Sequence, residues 1–204
     1  VYFQNGVSEK QAKAVGEFLE SSGLFNAQGA AVQLLQQNEV FQIRFAIKDG
    51  AEEDPAVVGT FRTVAAMAQV QALDNQPVEA VLVDRQFRTL KTLPSLGKSL
   101  ALGKQGGLFY TSAVHEVDAE KIRAMGFQDW TLQLDKQGDR FSLKFLDINP
   151  EKAEKPDTQR PFEQVARDAS EALGSPTDVY LMSFDLRELK KISAPPLKHA
   201  AKGR

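Results

Sequence analysis

Along residues 40–48 apolar and polar side chains alternate. Phe41, Ile43, Phe45 and Ile47 fall on one side of an extended strand, and Gln42, Arg44, Ala46 and Lys48 on the other. Residues 31–36 alternate similarly, and the "QNE" between the two runs predicts a hairpin. Upstream, Ala12, Val15, Leu19 and Ser22 recur at helical spacing. Ser8 followed by Gln11 is a capping-box start, and Gly23 stops that helix. Acidic residues at 52–54 and Pro55 mark a second helix start, because anions and an N1 proline suit a first turn. Val58, Phe61, Ala65 and Ala68 form its apolar stripe. "VYF" at 1–3 reads as a short strand, and "PVEAVLVD" at 77–84 as the last core strand, continued through "FRTLKTL".

The same pattern then returns. "VQLLQQNEVFQIRFAI" at 32–47 lies over "LQLDKQGDRFSLKFLD" at 132–147 without a gap, matching Phe41 to Phe141, Arg44 to Lys144 and Phe45 to Phe145. "LVDRQFRTLKTL" at 82–93 lies over "LMSFDLRELKKI" at 181–192, and "VYFQNGV" at 1–7 over "LFYTSAV" at 108–114. Three blocks matching in the same order predict a duplication.

Each copy reads as strand, helix, strand, strand, helix, strand. The expected fold is therefore α+β, a tandem duplication of a ferredoxin-like βαββαβ module, with antiparallel sheets and helices on one face. The boundaries follow the pattern: a first module over 1–94, a Gly-rich linker over 95–107, a second, shorter module over 108–193, and a flexible tail over 194–204. In the second copy the first helix is cut to about 118–126, and Phe162, Val165, Ala169 and Leu173 face inward from the second helix. "DINPEKAEKPDTQRP" at 147–161, with three prolines, reads as a solvated connection that leaves room for a partner.

Composition narrows the chemistry more than it names it. The 204 residues are 42% hydrophobic and 25% charged, the balance of an ordinary globular chain. A net charge of −2 supplies no basic field for nucleic acid. No apolar run is long enough to span a membrane. The chain does not open on Met, so it is expected to be a piece of something longer, compatible with an anchor upstream of Val1. The absence of Cys removes disulfides, thiol nucleophiles and Cys-ligated zinc, and leaves the compartment open. His115 stands at a helix entrance and His199 in the tail, so no metal-ligand cluster or catalytic triad is drawn from them. "GKS" at 97–99 lacks the earlier glycine a phosphate loop needs; Thr92 stands there. No catalytic residue, metal or cofactor is expected.

The first copy resembles an uncharacterised bacterial domain of about 90 residues, a small-domain size, found at the C-terminal end of membrane-anchored or multidomain proteins. "VYFQNGVSEKQAKAVGEFLESSGLFN", "VQLLQQNEVFQIRFAIKDG", "DPAVVGTFRTVAA" and "PVEAVLVDRQFRTLKTLP" carry the resemblance, over 1–94. In that family's pattern a Cys precedes the Asp of the last strand; here the run is Leu82-Val83-Asp84. The resemblance implies an accessory, non-catalytic role and no residue roles.

Helices on one face leave the other face of each sheet open. Val81 and Val83 in copy one, and Tyr180, Met182 and Phe184 in copy two, are expected there with Arg44 and Lys144. Such an apolar patch points to a protein partner, to self-association or to the two copies packing together. The expected function is thus a binding or assembly module making protein–protein contacts within a larger bacterial protein. The alternative is a small-ligand sensor or enzyme with a pocket between the repeats.

Overall fold

A computed structural model describes residues 1–4, 6–23, 31–183 and 186–194. The first half contains β1 (Tyr2–Phe3), α1 (Glu9–Ser21), β2 (Val32–Gln37), β3 (Val40–Ala46), α2 (Pro55–Gln71), β4 (Val78–Val83) and β5 (Thr89–Leu93). The second contains β6 (Lys98–Leu102), β7 (Gly106–Tyr110), α3 (Glu116–Arg123), β8 (Thr131–Gln137), β9 (Arg140–Phe145), α4 (Pro150–Ala153), α5 (Pro156–Leu173), β10 (Thr177–Met182) and β11 (Glu188–Ile192). The fold is α+β, with one sheet in each half.

Local chemistry sets these elements where the pattern places them. Ser8 and Gln11 form the reciprocal capping box at the start of α1. Asp54 caps α2 by accepting from the Ala56 N–H, and Pro55 occupies its first turn. Asn38 and Glu39 both adopt positive φ (49° and 64°), the backbone of a two-residue hairpin turn between β2 and β3.

The topology corrects one expectation. The strands run β1-β2-β3-β4-β5 in the first sheet and β11-β10-β9-β8-β7-β6 in the second. In the first sheet β1 pairs directly and in parallel with β2 and β3 in parallel with β4, while β2–β3 and β4–β5 are antiparallel; in the second β7–β8 and β9–β10 are parallel and β6–β7, β8–β9 and β10–β11 antiparallel. The sheets are mixed, not antiparallel, and no strand is inserted between those that a helix joins, as a split βαβ requires. The element order is common to both topologies, so it could not choose between them. A sign of the parallel pairing lies in β4, where Ala80, Val81, Leu82 and Val83 are all buried.

Apart from β6, which has no counterpart in the first half, the strands of the two sheets follow one order. The β2–β3 register pairs Gln33 with Arg44 and Leu34 with Ile43; the β8–β9 register pairs Gln133 with Lys144 and Leu134 with Leu143. Both β4–β5 and β10–β11 carry a register shift, and the turns that follow β4 and β10 hold Phe87 and Leu186 at positive φ. The half-buried "linker" does more than connect. Its residues 98–102 are β6, an edge strand antiparallel to β7. The proline-rich run expected as a loop contains α4 and the first turns of α5. The tail beyond Ala194, including His199, lies outside the described residues.

Three apolar clusters hold the molecule. Val15 and Leu19 of α1 and Val64, Ala65 and Ala68 of α2 cover Phe41, Ile43 and Phe45 of the first sheet. Ala119 and Ile122 of α3 and Phe162, Ala166 and Ala169 of α5 cover Phe141, Leu143 and Phe145 of the second. In the third cluster, Ala66 and Val70 of α2 meet Phe109, Leu146, Tyr180 and Met182 on the other face of the second sheet. α2 is therefore shared, with one sheet on each side. Gly107 permits the approach: a Cβ there would stand 2.9 Å from the Val70 side chain.

Candidate functional site

The junction is fastened by one buried amide. Gln69, fully buried on α2, donates to the Gly97 carbonyl (2.8 Å) and to Ser99 Oγ (3.1 Å), while its oxygen accepts from the Val78 N–H and Ser95 Oγ (both 3.3 Å). The Ser99 hydroxyl in turn donates to Asn75 Oδ1, at 2.9 Å. From the other side, Gln133 of β8 donates to the Leu96 carbonyl at 3.2 Å. Residues 95–99 are thus a strap tied to both halves, and the serine of "GKS" serves this structural network.

Beside the strap opens a cleft of about 280 Å³. Its polar end is built by Arg62 of α2, Gln133 of β8 and Lys144 of β9; Leu96, Leu146 and Met182 line its apolar wall. Burial pushes the Arg62 guanidinium below its ordinary pKa. Its Nε is buried without a hydrogen-bond partner, and no ion pair reaches it among the described residues. Among the described residues Lys144 Nζ makes one hydrogen bond, a long one of 3.4 Å to Gln133 Oε1. Two cations from opposite halves therefore share a cleft in which no described residue places a carboxylate.

Elsewhere on this face the charges are matched. Asp178, almost fully buried, receives Arg140 at 3.0 Å and Lys191 at 2.9 Å. Hydrogen bonds to Asp178 and Tyr180 raise the Lys191 pKa, and its ammonium lies 5.4 Å from the Tyr180 ring centre. A larger groove of about 520 Å³ between α1 and α2 contains no charged side chain. Its Ser21 and Thr60 hydroxyls donate to carbonyls of their own helices.

The residues expected on an open apolar face separate into two places. Lys144, Tyr180 and Met182 lie on the second sheet beneath α2, where Met182 and Tyr180 belong to the junction cluster. Arg44, Val81 and Val83 lie on the far face of the first sheet. Val81 and Val83 are only 3% and 0% exposed, so they present no apolar patch to solvent. Arg44 spans that face, donating to the Phe87 carbonyl (2.7 Å), Thr89 Oγ1 (3.3 Å) and Gln33 Oε1 (3.3 Å). Phe184 lies outside the described residues. His115 is the N-cap of α3 and makes no side-chain capping bond.

No family model, curated protein or solved structure matches this chain. The site consequently rests on its own geometry. Arg62 is the residue the sequence pattern passed over. Reading α2 as one stripe through Phe61, Ala65 and Ala68 hides a second stripe, Arg62, Ala66 and Val70, one helical turn apart. Small apolar residues on a helix's second face signal a helix packed on two sides.

Proposed function

We propose that the chain is a non-catalytic binding module, formed by duplication of one βαββαβ unit, whose ligand site is the cleft between the two copies. The matched registers support the duplication. The observation that carries the function is the pairing of unpartnered Arg62 with Lys144, contributed by different halves to one cleft. Ligand sites favour such junctions, where an apolar wall meets a few fixed polar groups. A small-molecule screen followed by methyl NMR tests this. The expected result is saturable shifts at Leu96, Leu146 and Met182, with the α1–α2 groove around Val64 and Met67 unchanged. A ligand whose shifts map only to that groove would remove the cleft from consideration.

A second reading keeps the protein–protein contact. β1 is an edge strand on which Tyr2 is 71% and Phe3 44% exposed. In the second sheet the corresponding edge, that of β7, is closed by β6. An exposed edge of this kind pairs with a further strand, here from a second copy. Sedimentation should then show a dimer that Tyr2→Lys dissociates; a wild-type chain monomeric at high micromolar concentration would count decisively against it. Among the described residues no helix is long and apolar enough to cross a membrane.

A further inference from the structure

We infer that the cleft takes a small organic carboxylate with a short aliphatic body, its carboxylate held between Arg62 and Lys144 and its body against Leu146 and Met182. This rests on the cleft being the ligand site, and adds the chemical class. A cation moved out of water is costly unless an opposite charge or acceptors replace its hydration. The protein meets that requirement at Asp178, where one buried carboxylate serves two cations. In the cleft it does not, although Arg62 is half-buried and Lys144 stands nearby. The missing partner is an anion from outside.

Shape selects among anions. A guanidinium offers parallel N–H groups that fit a planar carboxylate in bidentate fashion, while an ammonium supplies a point charge from another direction. Gln133 is committed through its amide nitrogen to Leu96, which fixes its oxygen toward Lys144 and orients that ammonium. The other end of the cleft is apolar, through Leu96, Leu146, Met182 and Leu186. A purely inorganic anion leaves that wall unused. At about 280 Å³ the cleft lies at the lower limit for small-molecule sites, which suits a body of a few carbons. Because the two cations come from different halves, the bound carboxylate also bridges the junction.

The test titrates the full 204-residue chain with butyrate, butyramide and inorganic phosphate, following the Leu146 and Met182 methyl signals. Butyrate is expected to bind saturably, and Arg62→Gln to weaken it about tenfold or more, since a charge-assisted pair is lost. Lys144→Gln should weaken it less. Amide spectra confirm that both variants are folded. Equal binding of butyramide, with no effect of Arg62→Gln, would overturn the charge assignment and leave the cleft as a neutral site. Binding of phosphate but not butyrate would overturn the aliphatic carboxylate. If no compound, from these or the wider screen, shifts the cleft methyls, the site itself fails and this inference with it. As an independent check, Arg62→Met should raise the melting temperature of the ligand-free chain by removing an uncompensated charge; a fall would mean Arg62 already has its partner.

Discussion

Replacing Phe145 with alanine is expected to cost about 3–5 kcal/mol of unfolding free energy, the range for removing a large aromatic from a core. Phe145 is almost fully buried on β9. Its ring meets Phe162 at 4.8 Å, Trp130 at 5.3 Å and Phe127 at 5.4 Å between centres, all edge-on. Each such pair adds about 0.5–1.5 kcal/mol beyond the area it buries. The cavity lies between a sheet and α5, two elements that cannot collapse together without breaking their own hydrogen bonds. Domains are stable by only about 5–15 kcal/mol, so the loss is a large share of the total. Trp130 is the single tryptophan and touches the substituted ring, so its fluorescence reports the transition in a denaturant titration. A loss below about 1.5 kcal/mol, an ordinary single-mutation effect, would show that this aromatic group is not the keystone of the second half.

Gln69→Leu is the second large effect, and it is a polar one. Leucine nearly preserves the volume but removes an amide with four hydrogen-bond contacts. The Val78 N–H would be left without that partner, at about 1–3 kcal/mol for an unsatisfied buried group, while the Gly97 carbonyl keeps the Ser95 hydroxyl at 3.2 Å. That loss, about 1–3 kcal/mol, exceeds what the added apolar contact returns. Its location matters as much as its size. Hydrogen exchange should accelerate through residues 95–102, while β2 and β3, which do not depend on Gln69, keep their protection. Unchanged exchange in the strap would mean that the apolar contacts of Ala66 and Val70 hold the halves together unaided.

The corresponding position of the second half explains why this residue could be seen only in the fold. Ser170 of α5 accepts from the Thr177 N–H at 2.9 Å, just as Gln69 accepts from the Val78 N–H. Both helices therefore cap the first amide of the strand that follows. Only the longer glutamine has an NH₂ group left to reach the strap. Alternation and helical spacing made the hairpins, the capped helices and the correspondence of Phe41 with Phe141 readable from sequence, because these depend on neighbours along the chain. Strand order depends on which strands meet in space, and the same run of elements serves a mixed or an antiparallel sheet. Tyr180 and Met182 were expected on an open face of the sheet, and that face lies beneath α2. Its cover was missed, because Ala66 and Val70 are too small to stand out beside the larger stripe through Phe61. The cleft followed that omission: Arg62 becomes conspicuous only once α2 is placed between two sheets.

The two surfaces of α2 also bear on how long this architecture can grow. Phe61, Ala65 and Ala68 of α2 correspond to Phe162, Ala166 and Ala169 of α5, all turned toward their own sheets. One step around the helix, Arg62, Ala66 and Val70 become Glu163, Arg167 and Glu171, which are exposed. A junction that seats a helix of one unit on the sheet of the next is heterologous, and heterologous contacts can propagate into open filaments. Here α5 offers three charges where α2 offers one charge beside an alanine and a valine. Seating it under another sheet would strip water from three charges. α5 therefore keeps its outer face hydrated and, like the polar outer face of a capping repeat, does not favour the seating of a further sheet.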